Sequence, residues 1–265
     1  MPAKTKRALR NSFVQGLSQI ITWTLSWILL IVLPRYLGDE GFGRLFLALT
    51  YGMVLGTLLN MGINKYVAKE VSIINPVDMP EDAHEQQYDK LRTLLGNVFA
   101  VKLILSVVVY AAMAGLVFAL PYEATTRNAI LIICISSCIN NLTLTAGSVF
   151  QGLETLFPPN LALIAEKFVT TAGCTALLLM GYDLIPVCTV YVAAAAVNCL
   201  LCFVFLHRRV PLRLTWDTKM IKTIVVGGIP FLIWIVFGEI YVRVDVVMLS
   251  FMADASVVGW YGAAF

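Results

Sequence analysis

Residues 13–34 read FVQGLSQIITWTLSWILLIVLP, twenty-two positions without a single charge. As a helix this stretch is roughly 33 Å long at about 1.5 Å per residue, enough to cross the hydrocarbon core of a bilayer. It is too long for a cleaved leader, lacks a small-x-small cleavage site and ends in Pro34-Arg35, so it is predicted to be a permanent helix. Six more apolar runs follow, at about 44–64, 96–120, 128–151, 160–181, 185–206 and 223–252. The expected fold is an all-α, polytopic transmembrane helix bundle.

Composition demands the same class. The chain has 265 residues, 59% hydrophobic and only 13% charged, with a mean hydropathy of +0.83. Soluble domains carry about 25% charged residues; at half that content the polar cover of a water-soluble exterior is missing. A soluble enzyme, a disordered chain and a nucleic-acid binder are thereby excluded. The longest polar stretch, about 65–95, contains Asn75-Pro76 and Met79-Pro80-Glu81-Asp82 and reads as a loop.

Lysine and arginine set the orientation. With the N-terminus in the cytoplasm, thirteen of them lie in inside segments (Lys4 to Arg10, Lys65 to Arg92, Arg208 to Lys222). Only Arg35, Arg44 and Arg127 lie outside, while Lys102, Lys167 and Arg243 fall within spans. The N-terminus is therefore expected inside, and the seventh helix to point outward. After it, residues 254–265 read as an outer loop leading into a further helix. An odd span with its follower cut short predicts a fragment of a longer protein.

Polar positions inside the spans form stripes. Gln15, Gln19, Thr22 and Ser26 share one face of the first helix; Ser137, Asn141, Thr145 and Ser148 share one face of the fourth, widened by Ser136, Asn140, Thr143 and Gln151. Either helices pack there through interhelical hydrogen bonds, or the stripes wall a water-filled cavity; two stripes, one of them wide, favour the cavity. Ala48, Gly52, Gly56 and Asn60 at spacing four read instead as a close-packing ridge.

Charged residues in spans are functional candidates by default. Glu239 and Arg243 can pair at i, i+4, with Asp245 on another face, and Arg243 is the foremost candidate for a ligand contact. Glu166 and Lys167 are neighbours about 100° apart around the helix axis and do not face each other. Lys102, about two turns from its inner end, is expected to snorkel to the surface. The six cysteines sit in apolar runs as small hydrophobes, and Cys199 and Cys202 have neither a second pair nor a nearby His. No metal site, cofactor or catalytic constellation is expected, and no phosphate-cradling glycine loop occurs. The chain reads as a non-enzyme.

Several segments resemble the polysaccharide-biosynthesis flippases. Arg35-Tyr36-Leu37-Gly38 through Phe42-Gly43 resembles the pattern Arg-x-Leu-Gly-x-x-x-[Phe/Tyr]-Gly at the end of their first helix. Arg10-Asn11, Asn60-Met61-Gly62 and Val149-Phe150-Gln151-Gly152 resemble further family positions, and Arg243-Val244-Asp245 with Val258-Gly259-Trp260-Tyr261-Gly262-Ala263-Ala264 resembles the seventh-helix signature. The family belongs to the multidrug/oligosaccharidyl-lipid/polysaccharide superfamily. The resemblance implies two six-helix lobes around a cavity that opens to alternate sides. Residues 1–222 would form the first lobe, and 223–265 the first helix and linker of the second.

The implied activity is moving a polyprenyl-pyrophosphate-linked oligosaccharide from the inner to the outer leaflet of the cell membrane, with the lipid bilayer and other polysaccharide-assembly membrane proteins as partners. On this reading the substrate-binding candidates are Arg35, Arg243, Gln15, Gln19, Asn141 and Lys167, and the ion-coupling candidates are Glu239, Asp245 and Glu166. Related muropeptide-precursor flippases carry arginines in the first helix, whereas residues 13–34 have none, so ligands are not carried over from that branch. Asn60 stands where the family often has Asp. The alternatives are a drug or cation exporter of the same superfamily, and a membrane transferase or polymerase acting on lipid-linked sugars.

Overall fold

A computed structural model of the chain describes residues 3–74, 84–210 and 215–264, and the side chains within them other than those of 3–8, 84, 227–236, 239–240 and 242–243. Among the described residues every element is an α-helix: α1 Ala3–Asn60, α2 Ile63–Ile74, α3 His84–Ala119, α4 Ala124–Gly152, α5 Phe157–Leu179, α6 Leu184–His207, α7 Thr218–Met252 and α8 Ala255–Ala264. Helices α1 and α3 to α6 are long and apolar enough to cross a membrane.

Helix α1 carries two expected spans. Its continuity breaks at Gly38, whose φ of 69° and ψ of 175° only glycine adopts freely. Helix runs right up to Gly38 on one side and resumes at once on the other, so the expected outer segment 35–43 is reduced to one residue. The two arms have opposite surroundings. The first turns Trp23, Trp27 and Ile31 outward at 61%, 65% and 65% exposure, the pattern of a face in contact with lipid. The second is buried, with Leu45, Ala48, Leu55 and Leu59 fully enclosed.

The close-packing ridge on that second arm meets α4. A Cβ placed on Gly52 would lie 2.7 Å from Ser137 Oγ and 2.8 Å from Ile133 Cγ2, so only glycine admits α4 at this distance. Gly56, one turn on, has open space around it. Helix α4 is thus central, packed against the second arm of α1 on one side and α6 on the other. Helices α5 and α6 form an antiparallel pair joined at Gly181 (φ 80°), where Gly181 N–H donates to Leu178 O and Tyr182 N–H to Leu177 O, both at 3.0 Å. These bonds satisfy carbonyls that the end of α5 would leave open.

Two apolar clusters fill the bundle. Leu45, Leu55, Ile130, Val187 and Cys188 belong to one; Val67, Leu95, Val98, Phe150 and Leu206 belong to the other, nearer the N-terminal end. All six cysteines are free thiols, buried or half-buried.

Polar extensions lengthen the helices beyond the apolar runs. Helix α2 carries the second span onward with Ile63, Val67 and Val71 buried, and α3 starts at His84, twelve residues before its expected span. The α6–α7 connection is held by Asn97 of α3, which is fully buried. Its Oδ1 accepts from Asp217 N–H at 2.6 Å and its Nδ2 donates to Thr215 Oγ1 at 3.2 Å. Asp217 in turn caps α7 through Lys219 N–H at 2.9 Å. The segment after Ala253, expected to begin as a loop, is helical from Ala255. It packs on the second arm of α1, with Gly259 against the Asp39 carbonyl and Gly43 against that of Ala255. Small residues at the crossing let α8 start without a spacer.

Candidate functional site

The polar arc of α4 faces two ways, because Asn140 and Asn141 are about 100° apart around the axis. On one side Asn141 is buried, and its Oδ1 accepts from Lys102 Nζ at 2.9 Å. Lys102 also donates to the carbonyls of Leu59 at 2.9 Å and Asn60 at 3.4 Å. Thr145, on the same side, donates to Asn64 Oδ1 at 3.0 Å. Lys102, Asn141 and Thr145 are all buried on this side, against α1, α2 and α3. Lys102 has 0% exposure, so the expectation that it snorkels is corrected. Its stem points into the lobe because helix-end carbonyls wait there.

On the other side, α1, α4, α5 and α6 enclose a cavity of about 460 Å³. It lies in the half of the bundle nearer the start of α1, since Gln151 and Asn160 on its wall sit close to the helix ends flanking the α4–α5 connection, which Asn11 of α1 also reaches. Its wall carries Gln15, Asn140, Gln151, Asn160 and Asn198, five amides from four helices, together with Thr143, Glu166 and Lys167. Glu166 is gripped by two of the amides: Asn140 Nδ2 donates to Oε1 at 3.2 Å, and Asn198 Nδ2 to Oε2 at 2.6 Å. These bonds fix α4, α5 and α6 to one another at the cavity wall. Lys167 has no hydrogen-bond or ion-pair partner among the described residues.

A second cavity, about 590 Å³, lies at the opposite end, where α1, the α3–α4 connection and α4 meet α7 and α8. Arg44 is paired there with Glu40 and, at 2.6 Å, with Glu123. Tyr122 joins the two sides: its hydroxyl shares hydrogen bonds with Tyr51 at 3.1 Å and Ser250 at 2.9 Å. Its ring stacks on Phe251 with centroids 5.6 Å apart. Trp260 Nε1 donates to Asp39 Oδ2 at 2.7 Å.

Among the candidates named from sequence, Gln15, Glu166 and Lys167 come together in the first cavity. Gln19 is exposed and stands outside its lining, and Arg35 is exposed near the Gly38 break. Asn141 faces Lys102 and not the cavity. Asp245 accepts the Tyr261 hydroxyl and its neighbour Val246 N–H. Glu239 and Arg243 lie on α7, but their side chains are outside the described residues. Sequence reasoning passed over Asn160 and Asn198. Asn198 did carry a signal, as the one amide in the otherwise apolar α6. Among the described residues no group of His, Cys, Asp or Glu is placed to hold a metal ion.

Comparisons with known proteins place the chain more closely. A family model described as polysaccharide biosynthesis protein matches residues 8–265. A solved structure titled "protein A" is similar with a TM-score of 0.73 at 17% identity, a likeness of fold. All of this chain aligns with it, and the chain spans 60% of that protein's length. No curated protein matches.

Proposed function

The chain belongs to the polysaccharide biosynthesis protein family, and from that premise we propose that it is a flippase for polyprenyl-pyrophosphate-linked oligosaccharides. The observation that carries this reading is the amide-lined cavity. Five amides from four helices surround a space of about 460 Å³, large enough for sugar rings and lined with both donors and acceptors for hydroxyls. Polar groups are costly in hydrocarbon, and a cavity wall is where a membrane protein tolerates them.

In this reading the glycan enters the cavity and the polyprenyl tail stays in lipid beside the bundle. The pyrophosphate requires cationic partners, and Arg35, Arg243 and Lys167 are the candidates. Residues 1–222 act as one lobe and α7 begins the next, with the lobes rocking about the substrate. Glu166, Asp245 and Glu239 are candidates for coupling to an ion gradient. The protein sits in the cell membrane with its N-terminus in the cytoplasm and works with other polysaccharide-assembly proteins. It moves its substrate without chemical change and is not an enzyme.

The test separates inner-leaflet from outer-leaflet lipid-linked oligosaccharide in cells lacking the gene. Accumulation confined to the inner leaflet is expected. Accumulation in the outer leaflet would assign the chain to polymerisation or transfer. No accumulation, with hypersensitivity to drugs, would favour an exporter.

A further inference from the structure

The second span ends in a break in the helix. Helix α1 stops at Asn60, Met61 and Gly62 take left-handed φ values of 44° and 70°, and α2 starts at Ile63. A helix that stops leaves its last carbonyls without intrahelical partners and concentrates the negative end of its dipole there. In water, solvent would satisfy them. Here the Leu59 carbonyl is enclosed; it accepts from the ammonium of Lys102, itself fully buried, at 2.9 Å and from Asn141 Nδ2 at 3.5 Å.

The surroundings of that ammonium consist of oxygen. Leu59 O and Asn141 Oδ1 lie at 2.9 Å from Nζ, and Asn60 O at 3.4 Å. An ammonium has three N–H donors, and three acceptors converge on it. Neither a carboxylate nor another ion-pair partner reaches it among the described residues. A further oxygen, Asn60 Oδ1, is buried at the same break with no hydrogen-bond partner. A ring of neutral carbonyl and amide oxygens at the end of a broken membrane helix is the chemistry that strips and holds monovalent cations.

We propose that Leu59 O, Asn60 O and Asn141 Oδ1 form a cage for a monovalent cation at the break in the second span, and that Lys102 is its tethered occupant. The protein fills with its own side chain a position that a potassium-sized or ammonium-sized ion would otherwise take. The lysine stem approaches from α3, so α3 is fastened to the α1–α2 joint by a cation that cannot leave. This assignment does not depend on the flippase reading.

The test measures the thermal unfolding midpoint of the full chain in detergent micelles, with chloride salts of potassium, ammonium, methylammonium and choline compared at equal ionic strength. The wild-type midpoint is expected to be the same in all four. Lys102→Ala empties the cage; its lowered midpoint should rise by several degrees in potassium, ammonium or methylammonium relative to choline, which is too large to enter. Lys102→Met fills the same space without charge, and its midpoint should stay low in every salt. A Lys102→Ala midpoint equal in choline and in all three small cations would overturn the cage, as would its failure to fold in any of the salts. So would a Lys102→Met protein as stable as wild type, because the oxygens would then be indifferent to charge.

Discussion

Asn140 and Asn141 are the same residue type in adjacent positions of one helix, and their surroundings are opposite. Asn141 is sealed against Lys102 and the end of α1, whereas Asn140 stands at the wall of an open cavity and holds Glu166. The difference lies in what approaches from outside the helix. On the Asn141 side, glycine on α1 brings a second backbone close, and a long side chain from α3 fills the remaining gap. On the Asn140 side, α5 and α6 bring amides and a carboxylate that bond each other across a space. A polar stripe therefore states only that a helix face avoids lipid. Whether it lines a knot or a cavity is settled by the residues opposite.

Asn141→Leu should break the sealed side most severely. It removes one of three acceptors from a buried ammonium, and the expected loss is about 3 kcal/mol of stability, read from unfolding in detergent. A loss no larger than that of an exposed substitution would mean the two sides do not differ. Gly52→Ala should come next, at about 2 kcal/mol, because its methyl meets Ser137 and Ile133 where α4 crosses α1; an unchanged midpoint would show that the crossing has slack.

Asn140→Leu sharpens the contrast from the open side. Transport should fall roughly tenfold, equivalent to about 1.4 kcal/mol, while the unfolding midpoint moves far less than in Asn141→Leu. Equal destabilisation by the two leucines would erase the distinction between the faces. The smallest effect belongs to Arg44→Ala at the opposite end. Its partners Glu40 and Glu123 are 65% and 72% exposed, so about 0.5 kcal/mol or less is expected, and a large loss would reveal a load on that end that the ion pairs alone do not carry.

The spans were legible in the sequence because hydrocarbon imposes one strict demand, some twenty apolar residues in a row, and each of the seven predicted runs falls on a helix, the second breaking near its end at Met61-Gly62. Helix beyond the apolar runs was not. Residues 65–74 and 84–95 carry Lys65, Lys69, Glu85, Asp89 and Arg92 and read as loop by hydropathy, yet the first builds α2 and the second extends α3, because one side of each is apolar and buried. Residues 35–43 gave no sign that Gly38 alone would make the turn. In the site, the α4 stripe was visible but its division was not, because periodicity reports which residues share a face and says nothing of what lies opposite. Lys102 was misread for a related reason. A lysine two turns from a helix end has the reach to snorkel, and only the stopped helix beside it gives its charge a reason to stay inside.

Asn97 fixes the geometry of motion as well as of packing. A connection tied to α3 through Thr215 and Asp217 anchors that end of α7, so any tilt of the helix would turn about this point. The helix has 35 residues, a lever of roughly 50 Å at about 1.5 Å per residue. One degree of rotation at the pivot therefore displaces the far end by about 1 Å. That far end is where Ser250 and Phe251 meet Tyr122, so a tilt that leaves the anchored end in place would already lengthen those contacts.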